Sequence, residues 1–510
     1  MLGSCGGGGS GGGGSTGGTP VPASFVPGRF LPESNFAAAC AVPRTGADPV
    51  THKAYPDHPG ALLDELNWLR SWTNDLYLWF DEVPDRDPAG FSTDAAYFDV
   101  LKTTAVTPSG HPKDKFHFTY ATSVWESLSQ SGTAPGYGAT FVVLAASPPR
   151  HIVVAYTEPG SRAATAPASL ARGAQVLAVD GVDAVNATSQ SSIDTLNAGL
   201  SPQNVGQTHT FSILDIGATT PREVTLMSAE ITATPVQNVH TIATGGNNKL
   251  GYLLFNDHLA TAEQELIAAF NQLQADGVTD LVLDIRYNGG GYLDIASEVA
   301  YMIAGPAQTG GRTFELTQFN SKHAATDPAT GAAITPLAFH STTQGFSTTA
   351  GQSLPTLNLP RVFLLTGAGT CSASESIINS LQGVDVQVIQ IGSTTCGKPY
   401  GFYPADNCGT TYFSIQFKGV NAKGFGDYPD GFTPSNAVTA AGVPLPGCAV
   451  ADDFAHALGD SAEGLLAAAI GYQTNGVCPA PPTAVTHAPV VIKSVWRRNR
   501  IQGLPPALRR

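Results

Sequence analysis

A serine, a lysine and two glycine-rich turns carry the chemistry this chain could do. Ser372 lies in VFLLTGAGTCSASES, where an apolar run ends in a glycine turn and a helical pattern follows. A hydroxyl at that place could be presented at the carboxyl edge of a sheet, where a nucleophile is useful. Taken alone, the same serine is more simply an N-cap, a common job at a helix start. Lys398 follows in STTCGKPY, a stretch poor in charge. An ordinary lysine has a pKa of about 10.4, so work as a base near pH 7 needs a shift of about 3 units, roughly 4 kcal/mol. Burial can supply that shift and solvent cannot; the alternative is an exposed or salt-bridged lysine. The remaining turn is LVLDIRYNGGGYLD, in which Asn288-Gly289-Gly290-Gly291 follows an apolar run. Glycines there let backbone N–H groups converge on one point without a Cβ in the way. Such a nest holds a phosphate or a developing oxyanion. A phosphate loop would continue with Lys-Ser or Lys-Thr, and Tyr292-Leu293 stands there instead, so the nucleotide reading fails.

The neighbours of Ser372 offer rival roles. Cys371 invites a cysteine-nucleophile reading, yet no histidine follows at a persuasive position. Ser374, Glu375 and Ser376 compete; Ser376 falls on a different side of the helix, and Glu375 is expected to make structural hydrogen bonds. An α/β esterase would need a G-x-S-x-G elbow, which is absent here.

Three kinds of texture must position these groups. From about 245 to 475, strands are expected at 250–255, 280–285, 361–366 and 386–391, with helices at 262–274, 293–303 and 373–382. Apolar strands spaced by helices indicate a layered α/β core, with 306–358 as an irregular excursion. From 133 to 232 short β runs dominate, at 139–144, 151–156, 175–179, 209–214 and 223–227, with a helical piece near 190–200. This passage resembles a PDZ domain through the Gly136-Tyr137-Gly138 turn, Pro159-Gly160-Ser161, and Gly173 with Val179-Asp180-Gly181. The resemblance implies that an extended peptide tail adds as a strand, with Gly136, Tyr137 and Gly138 as binding residues. Ala174 stands where many relatives have Asp, and a mere β spacer is the plainer alternative. Residues 55–130 look mostly helical, with Leu62, Leu66, Leu69, Trp72, Leu76 and Leu78 on one face until Pro84 and Asp87-Pro88 break the pattern.

The chain has 510 residues, 42 % hydrophobic and 13 % charged, so most of it should fold, as two to four domains. A net charge of −14 repels phosphate backbones and argues against a nucleic-acid partner. No apolar run of about 18 residues is present, which excludes a membrane-spanning helix in the sequence as written. Residues 1–22 are a glycine-rich flexible segment; Leu2-Gly3-Ser4-Cys5 resembles a bacterial lipobox, the other reading being an engineered linker. The six cysteines beyond Cys5 suit three disulfides in an oxidising compartment. Cys396–Cys408 and Cys448–Cys478 are the preferred pairs, because each brackets a short local segment; buried free thiols are the alternative. No cysteine spacing resembles a zinc site. Residues 479–510 form a Pro-rich, then basic, solvated tail.

In order, Asp284-Ile285-Arg286 with NGGG, then Ser372-Ala373-Ser374-Glu375, then T-x-x-G-K ending at Lys398, after a PDZ-like segment, resemble the carboxyl-terminal processing (tail-specific) serine peptidase family. The texture is closest to its bacterial lipoprotein-type members, over roughly residues 60–475. The resemblance implies a multidomain α/β protein: a small helical N-terminal domain (23–130), a PDZ-like β domain (133–232) and a ClpP/crotonase-like α/β catalytic core (240–478). It implies Ser372 as nucleophile and Lys398 as general base, with an oxyanion hole from the N–H of Ala373 and of Gly290 or Gly291. No metal or cofactor is implied. The implied substrates are polypeptides with unfolded or exposed carboxyl-terminal tails. The implied place is the bacterial envelope or secretion, with membrane contact only through a lipid on Cys5. The departures are Phe402, where many relatives place a Gln that orients the lysine, and Ala174. They favour the alternative of a non-catalytic peptide-binding scaffold. His258 could serve a histidine-based variant of the tricorn-type group, while Asp284, Arg286 and the GDYPDGF segment (Asp427, Tyr428, Asp430, Gly431) read as structural.

Overall fold

The computed structural model describes residues 25–48, 52–245, 248–438, 441–482 and 490–492. The segment with Cys5 and most of the basic tail lie outside the described residues. Six strands form the central sheet, in the order Val236–Ala243, Lys249–Phe255, Asp280–Asp284, Arg361–Thr366, Gln387–Gly392 and Gly447–Ala449. The first pair is antiparallel and the rest are parallel, with Leu283 level with Leu253 on one side and Leu364 on the other. Alternation explains why these runs are apolar throughout. Leu253, Leu283 and Leu364 face the helices Ala262–Asp276, Leu293–Ala304 and Ala373–Gly383. Tyr252, Val282 and Phe363 face the helix Gly464–Asn475 on the opposite side. Each fully buried Leu, Val or Phe contributes about 1.5–3 kcal/mol. Because the strands are parallel, the residues after 255, 284, 366 and 392 emerge at one carboxyl edge.

A second sheet runs Arg222–Met227, Thr208–Leu214, Gln175–Val179, His151–Thr157, Ala139–Ala145 and Val490–Ile492, with Val182–Asp183 beside Gln175–Val179. The helix Gln190–Leu200, capped by Ser189, closes its core through Leu196 and Leu200 against Phe141, Val176 and Phe211. This β domain is fused to the central sheet rather than tethered to it. Val142, Val153 and Ala155 share one hydrophobic cluster with Leu250, Tyr252 and Val282. Arg172, at the domain boundary, donates to Asp452 at 2.6 Å, to the Tyr287 hydroxyl at 2.7 Å and to the Ala155 carbonyl at 2.9 Å.

The amino-terminal region departs from a self-contained helical domain. Leu62–Leu76 is a helix with Leu66, Leu69 and Trp72 buried, as its spacing predicts. Beyond it come the single 3-10 turns Phe80–Glu82 and Pro88–Gly90, the short helix Asp94–Asp99, the strand Phe118–Ala121 and the helix Thr122–Ser131. Its aromatic face is too broad for this region to cover alone. Tyr412, from far along the chain, packs among Trp68, Trp72 and Phe98, and the strand Phe118–Ala121 pairs antiparallel with Thr410–Phe413. The segment 306–358 likewise contains more order than expected: Thr313–Phe319 is a strand paired with Phe417–Val420.

The disulfides are Cys40–Cys408, Cys371–Cys396 and Cys448–Cys478. The expected Cys448–Cys478 pair is present and the expected Cys396–Cys408 pair is not. Closeness in sequence misled there: residues 371 and 396 both leave neighbouring parallel strands at one edge, whereas Cys408 sits on a hairpin that faces the amino-terminal region.

Candidate active site

The glycine turn, the serine turn and the lysine turn meet at the carboxyl edge of three adjacent strands, Asp280–Asp284, Arg361–Thr366 and Gln387–Gly392. Asn288 organises the first. Its side-chain oxygen accepts the Gly290 N–H at 2.9 Å and pairs with Nδ1 of His258 at 3.0 Å, while its Nδ2 donates to the Phe255 carbonyl at 3.0 Å. Its main-chain oxygen accepts the Cys371 N–H at 3.1 Å and the Ser374 hydroxyl at 3.2 Å, which ties the glycine turn to the serine turn. Gly290 has φ +92°, and a Cβ there would lie 2.8 Å from both Ala373 N and Ser372 Cβ. Gly291 has φ +143°, and a Cβ there would stand 2.4 Å from the His258 carbonyl oxygen. Only glycine fits either place. The Gly290 N–H is already engaged by Asn288, whereas that of Gly291 finds no acceptor among the described residues.

Ser372 precedes the helix Ala373–Gly383 with φ +65° and ψ −122°. An N-cap serine ordinarily has an extended backbone and accepts from the second or third helical N–H. Here only the reciprocal half of a capping box forms, from the Ser372 N–H to Glu375 Oε2 at 2.9 Å. The turned backbone carries the hydroxyl away from the helix, and Oγ is buried without a hydrogen-bond partner. The rival serines are engaged: Ser374 as above, and Ser376 with Glu315 Oε2 at 2.9 Å. A positive φ at a residue other than glycine is a strained backbone conformation that persists only where the surroundings hold it.

Glu375 brings serine and lysine together. Its Oε2 accepts the N–H of Ser372 at 2.9 Å and that of Lys398 at 2.8 Å, so the two main-chain nitrogens lie within two hydrogen-bond lengths of each other. Its Oε1 accepts Thr395 Oγ1 at 2.5 Å and the Gly397 N–H at 2.9 Å. Burial pushes this carboxyl up, and those hydrogen bonds oppose the shift. The Cys371–Cys396 disulfide crosses the same junction, with Cα atoms 5.1 Å apart. Both sulfurs approach Glu375 but are joined to each other, so neither offers a thiolate to a metal or a nucleophilic attack. Lys398 is fully buried. Its Nζ lies 4.3 Å from the ring centre of Phe402 and 5.0 Å from that of Phe116.

Arg286 is buried between Asp284, Glu463 and Asp452 at 2.7–3.0 Å, which locks the strand end. The segment Asp427–Gly431 braces the lysine turn: Phe432 N–H donates to Thr395 Oγ1 at 2.8 Å, and a Cβ on Gly397 would strike the Pro429 carbonyl at 2.2 Å. His258 braces the glycine turn. In the β domain, the Tyr137 hydroxyl donates to the Gly199 carbonyl at 3.0 Å. Gly136 pairs with Ala229, and Gly138 has φ +80°, immediately before the strand Ala139–Ala145.

Residues 249–401 match the model of peptidase family S41. That stretch is similar to the S41 peptidases and takes in the glycine, serine and lysine turns. Two carboxyl-terminal-processing proteases are similar to a part of this chain. The one from Picosynechococcus sp. is 31 % identical over 126 residues, 25 % of this chain and 29 % of the relative. The one from Synechocystis sp. is 32 % identical over 127 residues, 25 % of this chain and 28 % of the relative. The chain thus matches less than a third of the length of these curated relatives. A crystal structure assigned to the S41 proteases, from Bacteroides fragilis, superimposes with a TM-score of 0.58 at 24 % identity, over 83 % of this chain and 98 % of that one, a likeness of fold.

Several residues around the candidate site carry no signal in the sequence. Asn288 stands out in the sequence only as part of its glycine run. Phe116 and Lys115 lie outside the S41 match, on a loop with no local pattern, yet Phe116 walls the Lys398 amine. Lys115 donates to the Cys396 carbonyl at 2.8 Å, and burial lowers its pKa. Nothing in the residue types around them predicts that approach.

Proposed function

We propose that this protein is a serine endopeptidase of the carboxyl-terminal processing type, in which Ser372 and Lys398 form the catalytic dyad. The observation that carries the reading is the state of Ser372: among the three serines of its turn, its hydroxyl alone has no partner, and its main chain shares one Glu375 oxygen with the lysine. In the proposed cycle, Ser372 Oγ attacks the scissile carbonyl and its proton passes to the neutral Lys398 amine. The oxyanion is held by the N–H of Ala373, the first of the helix, and by that of Gly291. Gly290 serves through its missing Cβ, since its own N–H is committed to Asn288. Collapse of the intermediate expels the amine, which takes the proton from Lys398, and water then cleaves the acyl-enzyme by the same exchange. Lys398 is fully buried, the condition under which an amine gives up its charge.

The seven-stranded β domain is read as PDZ-like, taking a polypeptide tail as an added strand and raising the local concentration of the scissile segment. Three disulfides fit an envelope or secreted setting. No helix among the described residues is long and apolar enough to cross a membrane. A non-catalytic scaffold is favoured by Phe402 and by the full burial of both Ser372 and Lys398. Turnover of casein or of a tailed reporter decides between them. The parent chain should cleave, and Ser372→Ala and Lys398→Ala should each abolish cleavage with an unchanged thermal midpoint. Full activity in either variant overturns the dyad, and tail binding without cleavage at any pH establishes the scaffold.

A further inference from the structure

We infer that the strand Val490–Ile492 is a resident ligand of the β domain: it fills the edge where an external polypeptide tail would add, and competes with substrate for it. Without it, Ala139–Ala145 would be the open edge of that sheet, because its other side is paired with His151–Thr157. The pairing is antiparallel, with Val490 level with Val143, Val491 with Val142 and Ile492 with Phe141. The strand therefore runs with its carboxyl end, at Ile492, directed toward Ala139 and the Gly136-Tyr137-Gly138 turn. That is the polarity of a tail whose carboxyl end is to be held by backbone N–H groups of such a turn. The side chains alternate as a docked strand requires. Val491 packs on the cluster shared with the central sheet, Ile492 packs on the core of the β domain, and Val490 is 55 % exposed. The strand is also kept near. Cys478 is bonded to Cys448 on the central sheet, and only residues 479–489, rich in Pro and Ala, separate it from Val490. A short connection of this kind gives an effective concentration of order mM, so a rival tail at micromolar concentration meets an edge that is already taken.

The inference rests on the reading of this domain as a tail-binding module, and its test is independent of proteolysis. All chains carry Ser372→Ala, so nothing is cut. The probe is a fluorescein-labelled peptide of residues 486–495, THAPVVIKSV, with a free carboxylate, and fluorescence anisotropy reports its binding. Ile492→Asp, and a chain ending at Pro482, should each bind the probe about tenfold or more tightly than the full chain. Amides of Ala139–Ala145 should exchange with solvent faster in both, with the central sheet still protected as evidence of folding. Equal affinity for all three chains, or binding to none, overturns the inference. Failure of casein cleavage by the parent chain would instead fall on the proposed dyad and leave this result standing.

Discussion

Gly290→Ala isolates the steric requirement at the heart of the site. The added Cβ would stand 2.8 Å from Ala373 N, Cys371 O and Ser372 Cβ, where ordinary contact begins at 3.4 Å. All three are on or beside the main chain, so none can swing aside. The serine turn must back away by roughly half an ångström, and a misplacement of about 1 Å costs on the order of a hundredfold in rate. Losing one oxyanion donor altogether costs about 2.7–4 kcal/mol, a similar or larger factor. The new residue also meets φ +92°, which adds about 1–2 kcal/mol of backbone strain. Gly277→Ala supplies the control. It ends the helix Ala262–Asp276 with φ +69° and has open space where a Cβ would go, so it takes on similar strain without the collision. Both variants should lose a few degrees of thermal midpoint, and only Gly290→Ala should lose turnover of a tailed reporter, by about a hundredfold or more. If Gly290→Ala folds and cleaves like Gly277→Ala, the placing of the glycine turn against Ser372 is irrelevant to catalysis and the reasoning fails.

Glu375→Gln replaces one oxygen with an amide donor that must face two N–H or O–H groups, and hydrogen bonds to charged acceptors are worth about 1.5–3 kcal/mol each. Turnover should fall at least a hundredfold with a lower thermal midpoint; a fall in midpoint without any change in turnover at a temperature where the chain stays folded would refute its positioning of the two turns. Burial pushes the Glu315 carboxyl up to about 7, above the ordinary value of 4.5, so the folded chain keeps a proton that the unfolded chain releases. That contribution is whole below about 4.5 and is lost as pH rises through about 7. Glu315→Gln should therefore match the parent near pH 4.5 and exceed it at pH 8 by on the order of 3 kcal/mol in urea unfolding, and an equal gap at both pH values would refute the assignment.

What could be read beforehand was local. The strand Asp280–Asp284 and the helix Ala373–Gly383 announce themselves by burial patterns and glycine turns that span only a few neighbouring residues. Ser372, Lys398 and the glycine turn were singled out because chemistry needs those types at strand ends, and the parallel sheet does bring their turns to one edge. What escaped was non-local pairing. Thr313–Phe319 is short of apolar alternation because its partner, Phe417–Val420, supplies its order. Cys396 reached back to Cys371 and not forward to Cys408, since adjacent parallel strands count for more than adjacency in sequence. Glu375 was legible as a helix-start hydrogen-bonding group, but its acceptance of three donors from the lysine turn depends on that turn being folded against it.

The bond between Cys40 and Cys408, 368 positions apart, sets a timetable for biosynthesis. Trp68 and Trp72 emerge early, while Tyr412, the ring that shields them, is made only after most of the polypeptide. The opening stretch must therefore wait, sticky and unlatched, until the far hairpin arrives, an assembly order that favours slow maturation and a need for protection on the way. A fragment that stops short of that hairpin should be a poor candidate for a stable product, whatever its own helices promise.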